Sequence, residues 1–144
     1  MISCTEFIPV YNEFFNFLNE EINEEAVKKF WNNLSDSCLN GLRTAVSEKG
    51  LLGCFEYWSR TLSEEAADFK MSLNSKQDTF KIEMHKCPSK GRLNKLPHLK
   101  KYPAYCEHCD ALYRRVLESL GYQYEIDLSK CDHAKCTITI KDKR

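Results

Sequence analysis

The sequence predicts an α+β domain: N-terminal helices packed on a four-stranded antiparallel sheet made of two hairpins, with a long helix between the hairpins. Three observations carry this. Apolar residues recur every three or four positions up to about residue 67, the spacing of amphipathic helices. From Asp68 the period changes to two over a pair of stretches separated by a turn, and a second such pair closes the chain after one more helical pattern. A chain of 144 residues and 16.9 kDa fits one domain spanning 1–144, helical over about 1–67 and sheet-forming and cysteine-bearing over about 68–144.

Phe14, Phe15, Leu18 and Ile22, then Val27, Phe30, Trp31 and Leu34, form two inward helical faces and are expected in the core. Asn23 is a natural N-cap before Glu24 and Glu25, which the helix dipole favours in a first turn, and Gly50 is a stop. The next helix runs from Leu51 to about Ala67 with Phe55, Trp58 and Leu62 inward; Glu64 and Glu65 after Ser63 read as an N-terminal helical turn. Phe69, Met71 and Leu73 alternate with polar residues, as do Phe80, Ile82 and Met84 beyond the turn at 74–78, giving a hairpin with one apolar face. Pro88, Gly91 and Pro97 make 86–102 a loop. A helix fits Ala104 to Leu120, with Leu112, Val116 and Leu120 inward and Gly121 as its stop. Strands at Tyr122 to Leu128 and Cys136 to Lys141, linked by 129–135, form the second hairpin.

The net charge is zero, yet residues 1–75 carry 12 acidic and 6 basic side chains and 76–144 carry 9 and 15. Lys86, Lys90, Arg92, Lys95, Lys100 and Lys101 form a basic run that reads as a solvated loop able to attract an anionic ligand. Only Tyr102 and Tyr105 near it offer base stacking, which argues against a nucleic-acid surface. No apolar run approaches the roughly 20 residues a membrane span needs, and no leader pattern opens the chain. The expected location is the cytoplasm, where thiols stay reduced and clustered cysteines bind metal or do redox chemistry.

Five of the eight cysteines, Cys87, Cys106, Cys109, Cys131 and Cys136, fall at the ends of these elements. Thiolates at turns suit tetrahedral zinc, because four sulfurs must converge on one ion while their backbones stay in register; an iron-sulfur cluster accepts the same ligands. Cys106 or Cys109, in the first turn of a helix, should have a lowered pKa, and Cys109 is a candidate nucleophile if Cys106 completes the site. Cys4, Cys38 and Cys54 read as packing residues. His108 and His133 stand beside the cysteines as substitute ligands or proton carriers, while His85 and His98 read as ordinary strand and loop residues. No Ser-His-Asp order, phosphate-binding glycine loop or HExxH helix is present.

The helix carrying Trp58, the hairpin ending in Cys87-Pro88, the run Tyr105-Cys106-Glu107-His108-Cys109-Asp110 opening a helix, and the strand leading to Cys131 and Cys136-Thr137-Ile138-Thr139-Ile140 resemble the L-2-amino-thiazoline-4-carboxylic acid hydrolase-like family. The same positions are similar to 4-vinyl reductase domains and to aromatic-sensing domains of bacterial regulators. The resemblance covers roughly 51–141. It implies Cys87, one helix cysteine, Cys131 and Cys136 as metal ligands, and a small organic molecule bound between helices and sheet. The chain departs from that pattern at 133–138, His-Ala-Lys-Cys-Thr-Ile, and by the extra thiol of Cys109.

Two functions follow as expectations. One is a small-molecule enzyme, hydrolase-like, with zinc or iron-sulfur at an open position and Cys109 in the chemistry. The other is a non-enzymatic ligand-binding or sensory module with a closed four-cysteine site and a pocket of Phe55, Trp58, Met84 and Tyr113. A small organic molecule is the expected partner in both, with a homodimer allowed and neither membrane nor nucleic acid expected.

Overall fold

A computed structural model describes residues 6–143. It is an α+β fold: α1 (Phe7–Glu21), α2 (Glu24–Cys38), α3 (Asn40–Lys49), α4 (Leu51–Glu64), β1 (Asp68–Asn74), β2 (Thr79–Lys86), α5 (Pro88–Asn94), α6 (Glu107–Ser119), β3 (Tyr122–Asp127) and β4 (Cys136–Asp142). The strands make one antiparallel sheet in the order β1-β2-β4-β3, so the two hairpins join through β2 and β4. Among the described residues no helix is long and apolar enough to cross a membrane.

Register stacks the apolar face in rows. Leu73, Phe80, Ile140 and Tyr124 are successive cross-strand partners, as are Met71, Ile82, Ile138 and Ile126. Phe80, Ile82, Tyr124, Ile138 and Ile140 are buried against α3, α4 and α6, with Trp58 stacked on Phe80 at 5.9 Å between ring centroids. A second core lies beside the first and is built by α1, α2, α5 and residues 99–106. Its centre is Phe15, fully buried, with the rings of Trp31, Tyr102 and Tyr105 within 5.8 Å. Burying each such ring contributes roughly 2 to 3 kcal/mol of transfer free energy.

Local signals explain most boundaries. Asn23 caps α2, its side-chain oxygen accepting from the Ala26 amide at 2.9 Å. Gly50 has φ +60°, ends α3 and starts α4. The expected helix to Ala67 stops at Glu64, so Glu64 and Glu65 close a helix instead of opening one. Phe14 and Ile22, expected inside, are 38% and 62% exposed, because α1 turns Ile8, Asn12, Phe15 and Asn16 to the core instead. Leu73 lies at the exposed strand end, and the buried residues of α6 are Val116 and Leu117. Cys38 is exposed where packing was expected, Cys54 is buried, and Cys4 lies outside the described residues.

The expected loop over 86–102 contains α5. Pro88 takes the first helical position, where a missing N–H costs nothing, and the Cys87 sulfur accepts from the Lys90 amide at 3.5 Å as cap. Residues 100–102 are held by α1: Asn12 and Asn16 donate to the Lys100 carbonyl at 2.8 and 2.7 Å, and Asn12 accepts from the Tyr102 amide at 2.8 Å.

Helices α3 and α4 touch at Gly53, where a Cβ would overlap the Ala45 carbonyl group and stand 2.9 Å from the Val46 amide nitrogen. Backbone cannot give way as a side chain can, so Gly53→Ala should cost about 3 kcal/mol or more. Urea unfolding checks this; a loss under about 0.5 kcal/mol, the range of an indifferent surface change, would contradict the close approach.

Candidate metal and ligand site

The end of the sheet delivers two cysteines together. Cys136 opens β4 opposite Met84 of β2, and Cys87 follows β2 directly, so chain direction brings both to one corner. The Cys87 amide donates to the Ala134 carbonyl at 2.8 Å, fixing Cys87 to the turn that carries Cys131. That turn is a short 3-10 segment, Cys131–His133, closed by Ala134 in the left-handed region at φ 58°. It is also tied to α5, since the Asn94 side chain donates to the Asp132 carbonyl at 2.9 Å.

Helix α6 supplies the other two thiols. It begins at Glu107, so Cys106 is the residue before the first turn and Cys109 lies within it. Tyr105 anchors this start through its hydroxyl, 2.7 Å from Ser89 Oγ on α5. The result is a small cavity of about 30 Å³ whose wall includes all five cysteines together with Lys90.

Burial favours the neutral thiol at four of the five cysteines. Burial pushes Cys87 up to about 11, with Cys109 adding repulsion, and pushes Cys109 and Cys136 up to about 12. Cys106 is raised too, chiefly by burial, against which the Lys90 cation works. The expectation of a lowered pKa at the helix start is therefore overturned: desolvation outweighs the partial charge of the helix end, which is at most about 2 kcal/mol. Cys109 itself is half-buried and lines a neighbouring, larger cavity.

The donor set fits a soft or borderline cation such as zinc, or an iron-sulfur cluster, since all its candidate ligands are sulfur and no carboxylate lines the small cavity. The side chains are not drawn into a coordination sphere: among the described residues no three His, Cys, Asp or Glu groups are gathered closely enough to hold an ion. The five thiols line one small cavity.

Against this corner lies a larger cavity of about 520 Å³, where the two cores fail to meet. Trp58, Met84 and Tyr113 line it, with Cys87, Cys109 and Cys136 shared between the two cavities. Phe55, expected in the pocket, instead packs its ring edge-on to Phe80, 6.2 Å away.

His108 is part of the wall. Its Nδ1 donates to the Tyr105 carbonyl, leaving Nε2 to accept from the Cys109 thiol at 3.5 Å, and burial lowers its pKa so that the neutral ring prevails. His133 is exposed in its turn, His98 is exposed, and His85 pairs with Asp68 at 3.4 Å on the outer surface.

Three features escaped sequence reasoning. Lys90 belongs to the basic run yet is 7% exposed, with Nζ 3.9 Å from Asp132 beside the cysteines. Arg92, from the same run, and Glu65 reach the wall of the larger cavity. The Lys90 signal was present in the Cys87-Pro88 helix start, which puts position 90 one turn from the cap on the cysteine side. Comparison with protein-family models, curated proteins and solved structures returns no match to this chain.

In chelator, iodoacetamide should label exposed Cys38 well before Cys109 at neutral pH. Because the Cys109 pKa is raised, its labelling rate should climb about tenfold per pH unit from 7 to 9 without levelling. Peptide mapping by mass spectrometry follows both sites. A plateau for Cys109 below pH 8 would show a thiolate already formed.

Proposed function

We propose that the protein binds a small, largely apolar organic molecule in the larger cavity, beside a closed zinc site formed by Cys87, Cys106, Cys131 and Cys136. The observation that carries this reading is the shared wall: three of the five clustered cysteines face both spaces. Cys106 is preferred to Cys109 as fourth ligand because it faces the small cavity alone. Zinc in such a site supplies a cross-link between the end of β2, the start of α6 and the turn at 131–133. An iron-sulfur cluster on the same thiols is the alternative.

The chain's own residues then bind and orient the ligand. Trp58 and Tyr113, whose rings meet edge-on at 5.2 Å, offer aromatic surface, and Met84 an adaptable apolar one. The Arg92 guanidinium makes no ion pair among the described residues, so an anionic group on the ligand would complete it. These are the parts of a ligand-binding or sensory module. A hydrolase reading, in line with the resemblance to the amino-thiazoline carboxylate hydrolase-like family, is favoured by one contact: Cys109 donates to a histidine oriented by a backbone carbonyl, which sets a general base within reach of the thiol.

Trp31 and Trp58 are the two tryptophans, and Trp31 sits in the other core, so a Trp31→Phe protein reports on the cavity through Trp58 alone. Aromatic carboxylates should change its fluorescence, and their uncharged amides should bind about tenfold more weakly; Arg92→Gln should remove that preference. Turnover of an aromatic thiazoline or ester, lost in Cys109→Ala, would establish the hydrolase. No fluorescence response to either probe series would defeat the ligand-binding proposal.

A further inference from the structure

Helix α1 carries a second apolar stripe that the fold leaves largely exposed. Phe7, Val10, Tyr11, Phe14 and Phe17 are 68%, 61%, 38%, 38% and 56% exposed, while the buried stripe of the same helix is Ile8, Asn12, Phe15 and Asn16. The spacing of Phe7, Val10, Phe14 and Phe17 is three, four, three, which is that of the a and d positions of a heptad seam. Single exposed apolar residues need no explanation, but a continuous aromatic stripe does.

We propose that this stripe is the seam of a homodimer, two copies packing α1 antiparallel about a twofold axis that crosses the exposed face level with position 12. The spacing is the same read in either direction, so an antiparallel copy sets Phe7 against Phe17 of the second copy and Val10 against its Phe14, each contact occurring twice. A twofold interface requires this self-complementarity, and an unrelated partner does not. With aromatic side chains of 150–250 Å² each, the exposed part of the stripe from Phe7 to Phe17 amounts to roughly 500 Å² per copy. Two copies would bury roughly 1,000 Å², about the least a biological interface needs. Phe14 already meets Phe30 of α2 edge-on at 4.7 Å, so the seam is continuous with the second core and starts from a fixed rotamer. Phe7 and Tyr11 also line the larger cavity, which places the second copy beside its wall. The inference depends on neither the metal nor the ligand.

Sedimentation velocity of the full chain over micromolar concentrations tests it. The wild type should dimerise, and Phe7→Glu or Phe17→Lys should each weaken dimerisation at least about a hundredfold, because each buries two charges against apolar partners. Both residues are among the most exposed of the stripe, and acid near the start and base near the end suit the helix dipole, so circular dichroism should show both variants folded. An equimolar mixture of the two variants should dimerise again, because the carboxylate introduced in one copy then meets the ammonium introduced in the other. A monomeric wild type at tens of micromolar, single variants as dimeric as wild type, or a mixture that stays monomeric would each overturn the proposal.

Discussion

The site depends on the antiparallel pairing of β2 with β4. With Met84 opposite Cys136, the strand that ends in Cys87 runs out beside the strand that starts at Cys136, and one backbone hydrogen bond from Cys87 to Ala134 completes the corner. A slip of one residue in this register would turn Cys136 to the opposite face of the sheet. The register is pinned by the apolar rows through Phe80 with Ile140 and Ile82 with Ile138, which lose their burial on the same slip. Packing energy thus fixes the geometry of a polar site, without any of the thiols having to hold the fold.

The helical side is positioned by a different kind of interaction. Asn12 and Asn16 are buried polar side chains on α1, and a buried amide without partners costs roughly 1 to 3 kcal/mol. Here they bind the backbone at 100 and 102, so the segment leading to Cys106 is held by directional bonds where a loop would otherwise wander. Ser89 and Tyr105 tie α5 to the start of α6 in the same way. The aromatic cluster round Phe15 encloses these bonds and lowers the dielectric in which they act.

The sheet was legible in the sequence because alternation is a strong signal over strands of six to eight residues. Helix α5 was not, since a seven-residue helix holding Pro88 and Gly91 reads as a loop until the cap at Cys87 is recognised. Phe14 was misplaced because α1 carries two apolar stripes, and periodicity alone does not say which faces the core; the asparagines at 12 and 16 marked the buried face but look polar. The cysteines were legible as a group from their places at element ends. Their protonation was not, because it depends on how far burial offsets the helix end, a property of the packed molecule.

X-ray absorption at the metal edge of protein purified without oxygen tests the central claim most directly. A zinc ion held by Cys87, Cys106, Cys131 and Cys136 gives a zinc edge with a shell of four sulfur atoms near 2.3 Å, retained in Cys109→Ala and lost or reduced in Cys106→Ala. An iron edge with short iron-iron scattering would replace zinc by a cluster on the same thiols. A shell of nitrogen and oxygen neighbours, or protein carrying no metal at all, would contradict a cysteine-held metal at this corner of the sheet.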